Sequence, residues 1–472
     1  MDALIGSSWD ASTVFNVTNS VYILASILFI LGLKRLAHPS TARNGNRMAA
    51  VAMLMAVVVT LIDRDIVRIE WIIVGVVIGA LIGAVFARRV QMTAMPQMVA
   101  IFNGLGGAAS AVVASAELIE HRDTLNQVSS VTIMAGTIIG AVTLTGSFIA
   151  FGKLQGFVAT RPVLIPARNY VNAVLLVGAI VLGGFLVYEP DNLALFAVMG
   201  VLALALGILI VIPIGGADMP VVVALLNSYS GIAAAATGFV LSNNMLIIAG
   251  SLVGASGIIL TQIMTKAMNR SLANVMLGGF GAVATSGGAK GAVEQRPVRS
   301  VTAEDVAMVL SYARSVVFVP GYGLAVAQAQ HAVRELADVL KARGVTVKYA
   351  IHPVAGRMPG HMNVLLAEAN VPYDELKDLD EINSEFDRTD VSIVIGANDV
   401  TNPIARTDPS SPIFGMPILN VDASNAVVVL KRSMASGFAG VDNELFYLDK
   451  TMMFFGDARA SVESLIREVK AL

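Results

Sequence analysis

The chain has no cysteine among its 472 residues. Disulfide bonds, thiolate catalysis and cysteine-ligated metal ions are therefore excluded. Charged residues are scarce as well, at 14% of the chain, whereas soluble proteins carry about 25%. The formal net charge is −2, so the chain lacks the basic surface that nucleic acid binding needs, and no nucleic acid partner is expected. Hydrophobic residues make up 56% of the sequence, which is typical of a membrane protein.

Long apolar segments account for this composition. A helix needs roughly 20 apolar residues to cross a bilayer, and the sequence offers nine such candidates. They lie at about residues 17–36, 47–62, 70–88, 96–119, 128–152, 169–188, 193–214, 220–241 and 245–268. The N-terminal sequence has no basic region, so the first span is predicted to be retained and not cleaved as a signal. Residues 1–268 are thus predicted to form a multi-pass α-helical membrane bundle.

The charges of the connecting loops predict an orientation. With an odd number of spans, the two ends of the chain lie on opposite sides of the membrane. One set of loops holds eleven Lys and Arg residues, whereas the other holds only Arg64, Arg68 and Arg122. Because positively charged loops stay on the cytoplasmic side, the C-terminal region is predicted to be cytoplasmic.

Four polar residues lie in or beside the spans. Asn103 falls in the fourth span, Asn227 and Ser228 fall in the eighth, and Asp218 directly precedes the eighth. They have a structural interpretation, in which Asp218 caps a helix and the asparagines hydrogen-bond between helices. They also have a functional one, a polar path for a proton or an ion. The sequence leaves both open, because no Lys, Arg or His supplies a titratable group in the middle of a span.

The last third of the chain has a different pattern. Residues 269–300 are rich in Gly, Ala and Ser and are predicted to be a flexible linker. In residues 301–472 short apolar runs alternate with helical patterns. Strands are predicted at 316–319, 346–351, 391–395, 427–430 and 452–455, with a weaker one near 418–421, and helices at 324–343, 363–369 and 461–469. Such alternation predicts an α/β domain with a doubly wound parallel sheet, similar to a Rossmann fold. Thr302 and Asp305 are placed to cap the start of a short helix that precedes the first predicted strand.

A glycine-rich turn follows the first of these strands. Gly321, Tyr322 and Gly323 come directly after Pro320 and before a helical pattern. Strand, glycine turn and helix in this order are typical of a loop that binds the pyrophosphate of a dinucleotide. The third position of the fingerprint, which is normally small, is Val326. The motif alone is therefore a weak signal, and its context strengthens it.

The type of dinucleotide is indicated by charge. An NAD site usually has an acidic residue about 20 residues after the glycine turn, and the second predicted strand ends without one. Lys431, Arg432 and Ser433 directly follow a later strand, and two cations with a hydroxyl suit a 2′-phosphate. Arg357 is placed to reach another phosphate. The sequence therefore favours NADP over NAD, although the basic residues are also compatible with a solvated strand end.

Metal sites and other classes of protein are less well supported. His352 and His361 have no ligand spacing and are predicted to be turn or core residues, so no metal site is expected. A nucleotide-gated channel would need a pore element, whereas the PGYG string at 320–323 follows a strand outside every span. A membrane-anchored NADP reductase that does not pump would need one anchor and not nine helices.

Seven segments resemble one family over nearly the whole chain. They are GGADMPVVVALLNSYSG, KAMNRS, PGYGLAVAQAQ, IHPVAGRMPGHMNVLLAEA, IGANDVTNP, KRSM and GFAGVDNELF, and they resemble the beta subunit of the proton-translocating NAD(P) transhydrogenase. That family couples hydride transfer from NADH to NADP⁺ with inward proton movement. The resemblance implies that this chain binds NADP(H), and that an alpha subunit carries the NAD(H) domain and the remaining membrane helices. It further implies a homodimer of the whole enzyme, in the lipid of a bacterial inner membrane.

The resemblance also implies roles for individual residues. Contacts with the nucleotide are implied for Gly321, Tyr322, Gly323, Ala325, Val326, Arg357, Pro359, Gly360, Gly396, Asn398, Asp399, Lys431, Arg432 and Ser433. Asp399 is expected at the nicotinamide end as the catalytic residue that senses protonation, with residues 437–446 as a lid. Asn103, Asp218, Asn227 and Ser228 are expected along the proton path. Some members have His in place of Asn103, so the titratable group is predicted to come from a partner helix.

Overall fold

The computed structural model describes residues 11–63, 69–159, 163, 166–276, 296–437 and 439–472. The chain divides into two compact units. The first comprises Met1–Gln155, Ile165–Ile212 and Ala224–Ile258, and the second comprises Gly156–Leu164, Pro213–Val223 and Ile259–Leu472. Helices make up the first unit, and the second contains a six-stranded sheet.

Nine helices in the described part of the chain are long and apolar enough to cross a membrane, which confirms the predicted multi-pass bundle. They are α1 (Ala11–Leu36), α2 (Pro39–Asp63), α3 (Ile69–Arg89), α4 (Met95–His121), α5 (Gln127–Gln155), α6 (Arg168–Tyr188), α7 (Leu193–Val211), α8 (Met219–Val240) and α9 (Asn244–Ala267). The second helix begins at Pro39, well before the predicted residue 47. Proline suits the first turn of a helix, because its missing N–H group would have no partner there.

Glycines set the spacing of α4 and α5. A Cβ atom on Gly107 would lie 2.8 Å from the carbonyl oxygen of Gly140, so the two backbones are in direct contact. Such close approach lets helices pack well in a membrane. The spacing of Gly75, Gly79 and Gly83 in α3 predicts the same. Apart from the neighbouring backbone of α3 itself, however, no described atom lies within 4 Å of a Cβ built at any of these three positions, so the predicted packing is not seen among the described residues.

The sheet of the second unit is entirely parallel, as predicted. Its strands are β1 (Ser315–Pro320), β2 (Thr346–Ile351), β3 (Leu376–Asp378), β4 (Val391–Ile395), β5 (Ala426–Lys431) and β6 (Thr451–Phe455). The strand order is β3-β2-β1-β4-β5-β6. The order reverses between β1 and β4, and in sheets of this kind ligands bind outside the carboxyl ends of the strands at that point.

The helices of the second unit are mostly short. They are α10 (Leu272–Met276), α11 (Ala303–Tyr312), α12 (Tyr322–Val326), α13 (Gln330–Ala342), α14 (His361–Glu368), α15 (Leu379–Ile382), α16 (Ile404–Thr407) and α17 (Ala458–Ala471). The Thr302 side chain and Asp305 form the predicted capping box of α11. Within the predicted linker 269–300, the structure describes residues 269–276, which include α10, and residues 296–300, and residues 277–295 lie outside the described part.

Two local predictions were wrong, and one strand was missed. Residues 324–343 do not form one helix, because Gln328 has a φ of 52° and separates α12 from α13. The weak strand near 418–421 is absent from the structure of that segment, which instead enters a short 3₁₀ turn at Val421–Ala423. Strand β3 was missed because its three residues, Leu376–Asp378, are largely polar and lie at the sheet edge, where burial does not select apolar side chains.

The core of the sheet explains why its central strands were easy to predict. All five residues of β4 are buried, and Val319, Val394 and Val429 of neighbouring strands belong to one apolar cluster. Strands covered on both faces consist of continuous β-branched runs. Leu445 and Phe446 pack into the same cluster, so the C-terminal end of the predicted lid at 437–446 is anchored on the sheet.

Candidate functional site

Two loops interlock at the carboxyl edge of the sheet. We call residues 321–323 the glycine loop and residues 396–399 the GAND loop. The N–H of Gly321 donates to the carbonyl of Ile395 at 2.9 Å, and that of Gly323 donates to the carbonyl of Gly396 at 3.0 Å. A Cβ atom on Gly323 would lie 2.7 Å from the Cα of Gly396. A side chain at this position would force the two loops apart.

These hydrogen bonds refine the role of the glycine loop. The amides of Gly321 and Gly323 already have acceptors within the protein, and the helix that follows, α12, has only five residues. The glycines therefore let two backbone segments approach each other and form the floor of a cleft. The amides of these two glycines are therefore not free to donate to a pyrophosphate.

A cavity of about 970 Å³ opens above this floor. It lies within the second unit, and its wall brings together eleven of the fourteen residues that were predicted to contact the nucleotide. They are Gly321, Tyr322, Gly323, Val326, Arg357, Gly396, Asn398, Asp399, Lys431, Arg432 and Ser433. A cavity of this size is at the upper end of the range for cofactor sites.

The other three predicted residues lie beside the cavity. Ala325 is fully buried in α12, so it supports the floor from behind. Pro359 and Gly360 precede α14, and Gly360 has a φ of 67° as the residue that begins this helix. Neither of these two residues lines the cavity.

Lys431 is the most unusual residue of the wall. Its side-chain nitrogen is buried and has no hydrogen-bond partner among the described residues. It lies 4.5 Å from the centre of the Phe446 ring. Burial lowers the pKa of Lys431, and the charges of Asp442 and Asp399 oppose that shift. A buried ammonium group without an acceptor is costly, and a phosphate oxygen would supply the missing acceptor.

Arg357 is held on the opposite wall. Its guanidinium carbon lies 4.3 Å from the centre of the Tyr322 ring, and its backbone N–H donates to Nδ1 of His361 at 3.0 Å. Burial, and then the charge of Arg357, lower the pKa of His361. The imidazole is therefore neutral at pH 7 and can accept this hydrogen bond. His361 thus fixes the backbone that carries Arg357, and it acts as a structural residue, as predicted.

His352 is a structural residue as well. Its side chain is 2% exposed. Its Nε2 donates to the carbonyl of Pro417 at 2.8 Å, and its Nδ1 accepts from the N–H of Val354 at 3.2 Å. Burial lowers the pKa of His352 to about 4, so the ring stays neutral. In the described part of the chain, no group of three His, Asp or Glu side chains is placed to hold a metal ion.

Asp399 connects the GAND loop to the predicted lid at 437–446. Its Oδ2 accepts the N–H of Ala439 at 3.0 Å, and a Cβ atom on Gly437 would collide with its Oδ1. The Nδ2 of Asn443 donates to the carbonyl and to the Oδ1 of Asn398, both at 3.0 Å. The described lid residues therefore lie directly on the GAND loop. Phe438 lies outside the described residues.

Comparison with known proteins decides the family. A family model described as "NAD(P) transhydrogenase beta subunit" matches residues 18–468. The protein named NAD(P) transhydrogenase subunit beta from Rhodospirillum rubrum is 54% identical over 459 residues, which cover 96% of this chain and 99% of the relative. The protein of the same name from a designated strain of that species matches with the same values. This chain belongs to the NAD(P) transhydrogenase beta subunit family. The resemblance inferred from the sequence is thereby confirmed.

The polar residues predicted for a proton path in this transhydrogenase family member lie in different surroundings. Asn103 in α4 is buried, and its Nδ2 donates to the Oγ of Ser147 in α5 at 2.9 Å. Ser228 in α8 is also buried, and its Oγ donates to the carbonyl of Gly254 in α9 at 2.6 Å. Asn227 is half-buried. Hydrogen bonds between helices, the structural interpretation, are thus present for Asn103 and Ser228.

Asp218 forms an ion pair with Arg270. Both of its carboxylate oxygens accept from Nη1 of Arg270, at 2.9 and 2.8 Å. Burial raises the pKa of Asp218, and the charge of Arg270 opposes that shift. Both residues belong to the second unit and line the same cavity as the glycine loop. The pairing joins the start of α8 to the chain just beyond α9.

Several residues of the site were not found from the sequence. Pro412, Ile413 and Met416 line the cavity, but apolar residues in a loop give no periodic signal. Asn402 and Asn443 are buried and hold loops together by side-chain hydrogen bonds. An asparagine in a turn is so common that it predicts no particular partner.

Proposed function

We propose that this chain is the beta subunit of a proton-translocating transhydrogenase and that NADP(H) binds in the cavity above the glycine loop. An alpha subunit carries NADH, and the hydride transfer from NADH to NADP⁺ is coupled to inward proton movement. The observation that supports this most strongly is the buried ammonium of Lys431, which has no hydrogen-bond partner among the described residues and belongs to a residue that lines a cavity of a size that suits a dinucleotide. Family membership supports the same activity.

The proposed orientation of the nucleotide follows from the charges of the wall. Lys431, Arg432 and Ser433 hold the 2′-phosphate at the end of β5, because two cations and a hydroxyl can satisfy its charge and its lone pairs. Arg357, stacked on Tyr322, reaches the pyrophosphate. Asp399 lies at the nicotinamide end. Its hydrogen bond from Ala439 makes the lid sensitive to the state of this carboxylate.

The chemistry needs no acid or base from the protein. Bound NADP(H) supplies the nicotinamide that accepts or gives up the hydride. The residues of this chain contribute binding, orientation and the exclusion of water. Coupling therefore depends on a protonation that changes the affinity for NADP(H) or the position of the lid. We propose that Asp399 takes part in this step.

The proposed proton path uses Asn103, Asp218, Asn227 and Ser228, and an ionisable side chain from an alpha-subunit helix supplies the titratable group. Polar residues buried in a bilayer are costly and are generally retained for function. The enzyme is proposed to lie in a bacterial inner membrane as a homodimer of the alpha–beta assembly, with the α/β domain in the cytoplasm. The eleven basic residues on one side of the spans support this orientation.

Competition binding tests the proposal on the intact alpha–beta enzyme in detergent. Fluorescence of bound NADPH is followed while NADP⁺ or NAD⁺ is added. NADP⁺ is expected to displace NADPH, whereas NAD⁺, which lacks the 2′-phosphate, is expected to leave it bound. If NAD⁺ displaces NADPH as well as NADP⁺ does, the assignment of residues 431–433 is wrong. The same enzyme in vesicles should move protons only when both nucleotides are present.

A further inference from the structure

We propose that Arg296 is a positioning residue that holds residues 442–447, here called the lid base, against the GAND loop and thereby sets the affinity for NADP(H). This inference rests on the proposed function, because it assumes that NADP(H) occupies the cavity. Arg296 itself does not line the cavity. It acts through the backbone and the side chains of the lid base.

Arg296 makes three kinds of contact with the lid base. Its Nη1 and Nη2 donate to the two carboxylate oxygens of Glu444, at 2.8 and 2.7 Å. Its Nη2 lies 3.6 Å from Oδ2 of Asp442, and its guanidinium carbon lies 3.9 Å from the centre of the Tyr447 ring. The Tyr447 hydroxyl donates to the same Asp442 oxygen at 2.7 Å. A planar, two-pronged contact of this kind fixes direction as well as distance.

The lid base is in turn hydrogen-bonded to the GAND loop and to Asn402, which follows that loop. The N–H of Glu444 donates to Oδ1 of Asn402 at 3.3 Å, and Nδ2 of Asn402 donates to the carbonyl of Asp442 at 2.9 Å. The next residue, Asn443, holds Asn398 by the two hydrogen bonds described above. Asn402 and Asn443 are almost completely buried. Their hydrogen bonds therefore cannot be exchanged for water when the lid base shifts.

The lid base also contacts the proposed phosphate site. Phe446 forms the surface on which the Lys431 ammonium lies, and the charge of Asp442 acts on Lys431 from nearby. A shift of the lid base would move this ring and this carboxylate together. The position of Lys431, and hence its fit to a 2′-phosphate, therefore depends on contacts made by Arg296.

The ion pair of Arg296 is expected to contribute little to the stability of the protein, so its effect should be mainly on the position of the lid base. Its side chain is 44% exposed and that of Glu444 is 41% exposed, and ion pairs this exposed contribute little to the free energy of unfolding. Its backbone is nonetheless anchored a few residues later, where Met453 of β6 donates to the carbonyl of Arg299 at 2.7 Å and accepts from Val301 at 3.1 Å. In sequence, Arg296 lies where the chain enters the α/β domain from the membrane helices.

The test uses the intact alpha–beta enzyme and the variant Arg296→Gln. The dissociation constant of NADPH is expected to rise about tenfold, a typical size for coupling through a network of contacts. The binding of NADH to the alpha subunit and the thermal unfolding midpoint without nucleotide are expected to stay unchanged. Arg296→Lys keeps the charge but loses the two-pronged geometry, so it should restore the affinity only in part.

Two further variants separate positioning from general damage. Glu444→Gln weakens only one of the three contacts of Arg296, so it should weaken NADPH binding by no more than Arg296→Gln does, and the double variant should be no weaker than Arg296→Gln alone. Arg459→Gln breaks the comparable exposed pair with Glu463 in α17 and should leave NADPH affinity unchanged. NADPH affinity within twofold of wild type for Arg296→Gln, or equal losses of NADPH affinity, NADH affinity and thermal stability, would overturn the inference. If the wild-type enzyme itself does not prefer NADPH, the proposed function fails instead.

Discussion

The ammonium of Lys431 lies 4.5 Å from the centre of the Phe446 ring, and no described atom accepts a hydrogen bond from it. The ring face attracts the cation, but this attraction replaces only part of the hydration that burial removes. The free protein therefore carries an unsatisfied charge at the wall of the cavity. A bound phosphate would satisfy it, and part of the binding free energy is expected to come from this relief.

Replacing Lys431 should weaken the binding of NADPH without changing the binding of NADH. Lys431→Ala removes a charged donor to the 2′-phosphate, and a hydrogen bond to a charged group is worth about 1.5–3 kcal/mol. We expect NADPH binding to weaken roughly 10- to 100-fold while NADH binding to the intact enzyme is unchanged. Lys470→Ala is the control, because it removes a lysine that pairs with Glu335 on the surface. Equal losses for NADPH and NADH would argue against a role for Lys431 at the 2′-phosphate.

The same lysine predicts a pH dependence of NADPH binding. Burial lowers the pKa of Lys431 in the free protein, and a bound phosphate would raise it again, so binding takes up a proton between the two values. The affinity should therefore be highest below the lowered pKa and should fall as pH rises through it towards the ordinary lysine range, near pH 10.4. Dissociation constants from about pH 7 to 10 measure this, since the phosphate itself is ionised above about pH 6. Lys431→Arg stays charged and should abolish the slope; a slope that persists would assign the proton to another group.

The interlocked loops predict a difference between two glycine substitutions. Gly396 and Gly344 both have positive φ values, 65° and 83°. A Cβ atom on Gly396 would collide with Gly323, whereas one on Gly344 would meet nothing within 4 Å. Gly344→Ala should cost only the strain of the left-handed backbone, roughly 1–2 kcal/mol. Gly396→Ala should cost this strain and also separate the two loops, so NADPH binding should be lost together with stability.

Thermal unfolding and NADPH titration of the two variants measure this difference. The free energy of unfolding should fall more for Gly396→Ala than for Gly344→Ala, and only Gly396→Ala should lose nucleotide affinity. If both variants lose the same stability and both still bind NADPH, the close approach of the glycine loop and the GAND loop has no role in the site.

Burial explains which parts of the fold were predictable. The strands β1, β4 and β5 are buried on both faces, so their sequences are continuous apolar runs that stand out from the chain. The nine helices of the described residues that are long and apolar enough to cross a membrane are recognisable for a similar reason, because lipid selects apolar residues over their whole length. Strand β3 lies at the sheet edge and has three residues, and neither length nor burial marks it. The break at Gln328 depends on a positive φ that the sequence around it does not signal.

The candidate site was predictable only where a motif carries chemistry of its own. The glycine turn and the run Lys431–Arg432–Ser433 could be recognised, because spacing and charge are visible in the sequence. The contact of Arg296 with Glu444 joins residues 148 positions apart, and no local pattern links them. The occupied amides of Gly321 and Gly323 were also invisible, because only the register of β1 against β4 decides where those N–H groups point.

Substitution of Asn103 tests the proposed proton path through the membrane helices. An amide cannot release a proton at neutral pH, so this residue can only orient neighbouring groups, and its Nδ2 already donates to Ser147. Asn103→Ala should lower the initial rate of proton transport about tenfold, which corresponds to the loss of one hydrogen bond of roughly 1.4 kcal/mol. NADPH affinity should not change. Ser110→Ala, a buried polar position in the same helix, is the control and should leave transport intact. A pH-sensitive dye inside vesicles measures the rate, and an Asn103→Ala enzyme that assembles and pumps normally would remove Asn103 from the proton path.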